Sequence, residues 1–291
     1  MTAAILTLLL PWSAQALDIS GLSTRWLMPA ATPATVRSAA WTDVRFGVDG
    51  RGRPWIAHDG EELVCPTEAS SVRMVAPIDD IAFTGTLSPL VSSEGHLSVL
   101  PAVLMLRGDK DGRLALPLKP LRRLPGPGSR LFPGTRGILY VASRAKGNVG
   151  GSLYLLRGRS AKGSRGRLEL LLEASEPVAA AAGDGKTTYT AVGRSILKLQ
   201  QGARKAESVF AHPREDISSL AFDPEVGLFY ATASEVGFVG PKGALRILKA
   251  ARPLIAAWDG GLFVFSQEDW SIARLDGLKF LATASAGPPT P

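Results

Sequence analysis

The chain has 291 residues, of which 45% are hydrophobic and 20% charged, so it holds enough apolar material to bury a sizeable core. Its single cysteine, Cys65, excludes an internal disulfide and any multi-cysteine zinc site, and its three histidines leave little material for histidine chemistry. With 31 glycines and 21 prolines and no collagen-like period, the composition is that of short strands joined by many turns, an all-β protein.

At the amino end, residues 3–11 are apolar but too few to span a bilayer, and Ala14-Gln15-Ala16 has the small-x-small pattern that signal peptidase accepts. Residues 1–16 are therefore expected to be a secretory leader, although the segment before the apolar run carries no Lys or Arg. The mature chain has no further run of 18 apolar residues, and the protein is expected in the periplasm or outside the cell. Cys65 ends the alternating stretch Glu62-Leu63-Val64-Cys65, so it is expected to be buried on a strand.

From residue 44 onward a pattern recurs about six times: apolar strand, tight turn, aromatic-bearing strand, small turn, apolar strand. Its clearest copies run from Val44 to Val64, Val178 to Leu199, Ile217 to Val239 and Leu254 to Leu275. Each turns at an aspartate pair: Asp49-Gly50, Asp184-Gly185, Asp223-Pro224 and Asp259-Gly260. A few residues later comes an aromatic, Trp55, Tyr189, Tyr230 or Phe263, placed to fill the gap between neighbouring twisted sheets. Weaker copies run from Ile81 to Leu100, turning at Gly85, and from Leu131 to Leu156, with Gly134 and Tyr140. The copies begin at 44, 81, 131, 178, 217 and 254, at the interval of one four-stranded propeller blade each. The expected fold is a six-bladed β-propeller of four-stranded antiparallel blades, a single domain over residues 17–283. The segment 20–36, with Ser23-Thr24-Arg25-Trp26-Leu27-Met28, is placed to lend a strand to the last blade, and the Pro-rich tail 284–291 is expected to be disordered.

The run Asp49-Gly50-Arg51-Gly52-Arg53-Pro54-Trp55-Ile56-Ala57 resembles the blade signature of the NHL, two-component-regulator and streptogramin-lyase-like propellers. That resemblance implies the fold; the group includes lactonases, lyases and pure binding scaffolds, so it implies no one activity. Calcium-dependent gluconolactonase and paraoxonase-like members hold their metal with carboxylates and side-chain amides, typically two asparagines, whereas this chain has only Asn148, in a Gly-rich turn. Streptogramin-lyase chemistry would draw on clustered histidine and glutamate, whereas His58, His96 and His212 fall in three different repeats. No metal and no cofactor are therefore expected.

Innermost strands line a propeller's channel, and two of them, Val178 to Ala182 and Leu254 to Ala257, offer only small apolar groups. Arg45, Asp80, Arg130 and Ser219 are candidates to point inward from the others, with Arg and Asp read as a structural pair. No nucleophile elbow, phosphate loop or zinc-helix motif occurs. Arg107-Gly108-Asp109 matches the cell-adhesion tripeptide but reads as a hairpin tip.

Charge is the specific feature. Between Asp111 and Glu169 lie thirteen Lys or Arg residues and no acid, so this sector carries +13 while the rest of the chain carries −6. It is expected on the third and early fourth blades, with its densest piece, Arg157 to Arg167, an exposed hairpin loop between Leu153–Leu156 and Leu168–Leu172. The favoured reading is a binding scaffold without chemistry, in which Arg122, Arg123, Arg157, Arg159, Lys162, Arg165 and Arg167 donate charge-assisted hydrogen bonds to a protein partner or an anionic envelope component. Nucleic acid is disfavoured by export and by the absence of a base-stacking ladder. The alternative is a lactonase-like hydrolase or lyase with Asp43, Asp80, Asp216 or His212 converging at the channel mouth.

Overall fold

The computed structural model describes residues 23–28, 44–58, 62–68, 70–74, 78–100, 113–114, 118, 120–144, 150–157, 166–203, 205–240 and 243–284. Strand β1 (Ser23–Met28) stands apart from the sheet that follows it in sequence. That first blade comprises β2 (Val44–Val48), β3 (Pro54–His58), β4 (Glu62–Cys65) and β5 (Ser70–Met74). The second is built from β6 (Asp80–Ala82), β7 (Leu90–Ser93), β8 (His96–Val99) and β10 (Pro120–Arg123), while the two-residue β9 (Arg113–Leu114) runs parallel to β5 at the outer edge of the first.

The next three blades follow chain order. The third is β11 (Arg130–Pro133), β12 (Leu139–Arg144), β13 (Gly151–Leu156) and β14 (Leu168–Ala174). The fourth is β15 (Val178–Gly183), β16 (Thr187–Val192), β17 (Ser195–Gln200) and β18 (Glu207–Ala211). The fifth is β19 (Ser219–Asp223), β20 (Gly227–Ala231), β21 (Glu235–Gly240) and β22 (Gly243–Lys249). The sixth takes β23 (Pro253–Trp258), β24 (Gly261–Ser266) and β25 (Ser271–Asp276) from the carboxyl end and closes with β1 as its outermost strand, antiparallel to β25. The chain is thus a six-bladed β-propeller whose ring is closed by the amino-terminal strand, which covers an edge that would otherwise be open for pairing.

The repeated aspartate has a local reason. Asp49 Oδ1 accepts the backbone N–H groups of Arg51 (2.8 Å) and Arg53 (3.1 Å), closing the turn between β2 and β3. Its other oxygen accepts Arg53 Nε at 2.7 Å and the indole N–H of Trp55 at 3.0 Å, so one carboxylate sets both the reversal and the aromatic ring. Burial pushes the Asp49 carboxyl up, but these donors outweigh it and hold the group below the ordinary carboxylate range. Asp184 and Asp223 close the corresponding turns with two backbone donors each.

The aromatic positions do what their spacing suggests. Trp55 stacks on Phe83 across the first and second blades at 6.3 Å between ring centres, and Tyr189 meets Phe222 across the fourth and fifth at 5.6 Å. Phe46 stacks on Phe265 across the seam between the first and sixth, at 5.6 Å. Burying a ring such as Phe83 is worth about 2 kcal/mol, so a few such contacts decide how the sheets stack. Gly47 is required by this packing, because a Cβ there would lie 2.7 Å from the Phe83 ring. Cys65 is fully buried, as its strand pattern predicts, and burial raises its thiol pKa.

A short helix, α1 (Lys279–Ala284), follows β25; its flank Leu278 and its own Leu281 are buried in the core of the fifth and sixth blades. Ala284, the first residue of the expected tail, closes this helix. Residues 1–16, 285–291 and the Arg107-Gly108-Asp109 tip lie outside the described residues. No helix among the described residues is long and apolar enough to cross a membrane.

Candidate functional site

The six inner strands surround a central cavity of about 500 Å³. Its wall includes Arg45, Asp80, Arg130 and Ser219, the four residues that the sequence marks as inward candidates, and the small side chains of Ala180, Ala181, Ala256 and Ala257. Asp80 is the buried centre of this set. Arg45 Nε from the first blade lies 2.9 Å from its Oδ1, and Arg130 Nε from the third lies 3.2 Å from its Oδ2. The backbone N–H groups of Ile81 and Leu131 donate to the same two oxygens at 2.9 and 2.8 Å. One carboxylate therefore ties the inner strands of three consecutive blades through two ion pairs and three hydrogen bonds, one of them from Arg130 Nε. Arg130 is further held over the Phe132 ring at 5.6 Å, and Ser219 Oγ accepts the Ile255 N–H at 3.4 Å.

His212 and Asp216 do not join Asp80 on the cavity wall. His212 follows β18, accepts the Glu215 N–H on Nδ1 at 2.9 Å, and faces Glu235 through Nε2 at 3.3 Å. Tyr230 donates its hydroxyl to the same Glu235 at 3.0 Å and lies beside Phe210, so the cluster joins the fourth and fifth blades. Burial first, and then the Glu235 charge, push the Tyr230 phenol far above its ordinary range. Neither His212 nor Asp216 is among the described residues lining the channel cavity, and Asp43 lies outside the described residues. His58 ends β3 and His96 begins β8, on separate blades. Among the described residues no group of three or more His, Cys, Asp or Glu is placed to hold a metal ion, and Asn148 lies outside them.

The described part of the basic sector falls on the outer strand of the second blade and on the third rather than on the third and early fourth, because β10, which carries Arg122 and Arg123, belongs to the second blade and β14 completes the third. Folding also divides it. Arg130 and Arg136 turn to the channel, whereas Arg123 and Arg167 are exposed. Arg122 and Arg157, both half-buried, line a second cavity of about 520 Å³ between the second and third blades. Its walls are Leu90, Leu97, Val99, Leu121, Leu139 and Leu156, and no acidic side chain is among the described residues lining it. Arg157 donates one terminal amine to the Gly185 carbonyl at 3.0 Å, which anchors it against the fourth blade's turn beside Tyr140, whose hydroxyl accepts the Gly185 N–H at 3.2 Å. Arg159, Lys162 and Arg165 lie outside the described residues, in the segment 158–165 that joins Arg157 to Gly166, both on this cleft.

Comparison with protein-family models finds no match, and no curated protein matches in sequence. Solved structures do match. Virginiamycin B lyase from Staphylococcus aureus aligns with a TM-score of 0.55 and 10% identity, covering 88% of this chain and 99% of its own. Regucalcin from Agrobacterium tumefaciens, a calcium-binding protein, gives 0.56 and 16% over 79% of this chain and 88% of its own. A gluconolactonase from Xanthomonas campestris gives 0.52 and 14% over 86% and 94% respectively. At these identities the likeness is one of fold, the six-bladed propeller group that the run from Asp49 to Ala57 resembles, and it carries no activity with it.

Proposed function

We propose that this protein is an exported binding propeller that holds an acidic protein partner against the outer edge of its second and third blades. The observation that carries this reading is that Arg122 and Arg157, which come from different blades, line one cleft with no acidic side chain among its described lining residues, while Arg123 and Arg167, next in sequence to the lining residues Arg122 and Gly166, are exposed. Guanidinium groups there offer planar, charge-assisted donors to carboxylates, and the surrounding positive field speeds encounter with an acidic surface. Arg157 and Gly166, which flank in sequence the segment carrying Arg159, Lys162 and Arg165, both line this cleft. In the channel, the engagement of Asp80 by two arginines supports a structural role for that carboxylate, and Asp223, also on the cavity wall, accepts two backbone N–H groups of its own turn.

The test is a pull-down from the envelope fraction with the mature chain as bait, at low and high salt, repeated with the Arg123→Glu/Arg167→Glu double variant. A partner kept at low salt, shed at high salt and lost with the double variant supports the reading. A partner indifferent to both changes, or no partner at either salt, overturns it. Amino-terminal sequencing of the exported protein should begin at Leu17, which tests the leader assigned to residues 1–16.

A further inference from the structure

We infer that the cleft between the second and third blades is a binding site for a single-chain amphiphile with an anionic head, a medium-chain carboxylate; this deepens, and rests on, the reading of that edge as anion-binding. The cleft has an identifiable origin in the repeat. Where β3 carries Trp55 opposite Gly47 of the inner strand, and β12 carries Tyr140 opposite Phe132, β7 carries Leu90 opposite Ala82. Trp55 and Tyr140 both reach forward to the next blade, the first to Phe83 and the second to Gly185. Leu90 is shorter than either ring, and the space toward the third blade that a ring would fill is the cleft, with Leu90 on its wall.

The lining then selects the ligand. Leu90, Val99, Leu121 and Leu156 are only half-buried, so they present apolar surface that remains accessible, and its coverage by a hydrocarbon chain is favourable. A volume of about 520 Å³ is that of a small-molecule site. A cationic head is opposed by Arg122 and Arg157, and a neutral head would leave two half-buried guanidinium groups without gain, whereas a carboxylate matches their donor geometry. Arg157 is pre-organised for this, since its bond to the Gly185 carbonyl already fixes the side chain. Thr86 and Ser88 add polar rim, tied to one another by the Thr86 hydroxyl donating to the Ser88 carbonyl at 2.8 Å.

The experiment is titration calorimetry of the full chain with decanoate below its micellar concentration, against decanol and inorganic phosphate. Decanoate should bind at one per chain, more tightly than decanol, with no binding of phosphate alone. Arg122→Gln should weaken decanoate about tenfold and leave decanol unchanged. Val99→Trp should abolish both by filling the cleft; if that variant fails to fold, Thr86→Trp at the exposed mouth makes the same test. Equal affinity for decanoate and decanol, indifference to Arg122→Gln, or persistence of binding when the cleft is filled overturns the inference. The Arg123→Glu/Arg167→Glu variant, which removes the protein partner in the proposed function, should leave decanoate binding at one per chain. Loss of one property without the other therefore shows which reading has failed.

Discussion

The carboxylate of Asp49 accepts the indole N–H of Trp55 at 3.0 Å while its other oxygen holds the turn that precedes it, so one buried acid couples the first hairpin to the seam between two blades. Arg53 completes the arrangement with an ion pair at 2.7 Å, and Glu68 approaches the far side of the same guanidinium at 2.8 Å. Stability should follow the protonation of this acid.

Because its folded pKa is depressed, Asp49 contributes stability that is present above its ordinary unfolded range near 3.8 and is lost as pH falls through the lower folded value. Asp49→Asn should remove that component and leave the half-buried Arg53 with Glu68 as its remaining counter-charge, at a cost of about 2 kcal/mol. Urea unfolding between pH 2 and pH 7 measures both effects, and the variant's stability should change less over that range than the wild type's.

Asp80 should behave as a structural tie. Asp80→Ala leaves Arg45 and Arg130 facing the channel without their shared counter-charge, which should destabilise the protein by about 3 kcal/mol in urea unfolding. Asp80→Asn, which keeps the shape and two acceptor lone pairs, should cost less. Unchanged stability in both variants would contradict the role assigned to Asp80.

Closure of the ring depends on β1. Deleting residues 23–28 uncovers β25 along the register from Ile272 to Asp276, and the exposed edge should pair with a second copy. The expected outcome is a Tm lowered by roughly 5–10 °C, together with concentration-dependent dimers in sedimentation.

Alkali should weaken the seam between the fourth and fifth blades. The raised Tyr230 pKa means that its neutral phenol contributes stability in full below the unfolded pKa of about 10, with that contribution declining as pH rises further. Tyr230→Phe should cost about 1 kcal/mol at neutral pH through the lost bond to Glu235, and should flatten the alkaline part of the stability curve. Unfolding followed from pH 8 to pH 11 distinguishes this from a change at the buried thiol of Cys65, which Cys65→Ala removes separately.

Much of the architecture was legible because a blade is a local object. The turns at Asp49, Asp184 and Asp223 and the rings of Trp55, Tyr189 and Tyr230 follow one another within a few residues, and alternation along a strand reports directly on burial. The closing strand at Ser23–Met28 was readable for the same reason. The helix Lys279–Ala284 was not anticipated, because a single helical turn seated by Leu278 and Leu281 is too short to show a period.

The sites depended on distance through space. Sequence alone marked Arg45, Asp80 and Arg130 as candidates to point inward from three inner strands and determined that positive charge is concentrated between Asp111 and Glu169. Only the stacking of the blades decided that Asp80 would be shared by both arginines, that Arg136 would join Arg130 at the channel, and that Arg122 and Arg157 would line one apolar cleft. The physical reason is that hydrogen-bonding and side-chain alternation are fixed within a hairpin, whereas the meeting of side chains from separate sheets depends on how twisted surfaces pack, and there a leucine in place of a ring opens a cavity.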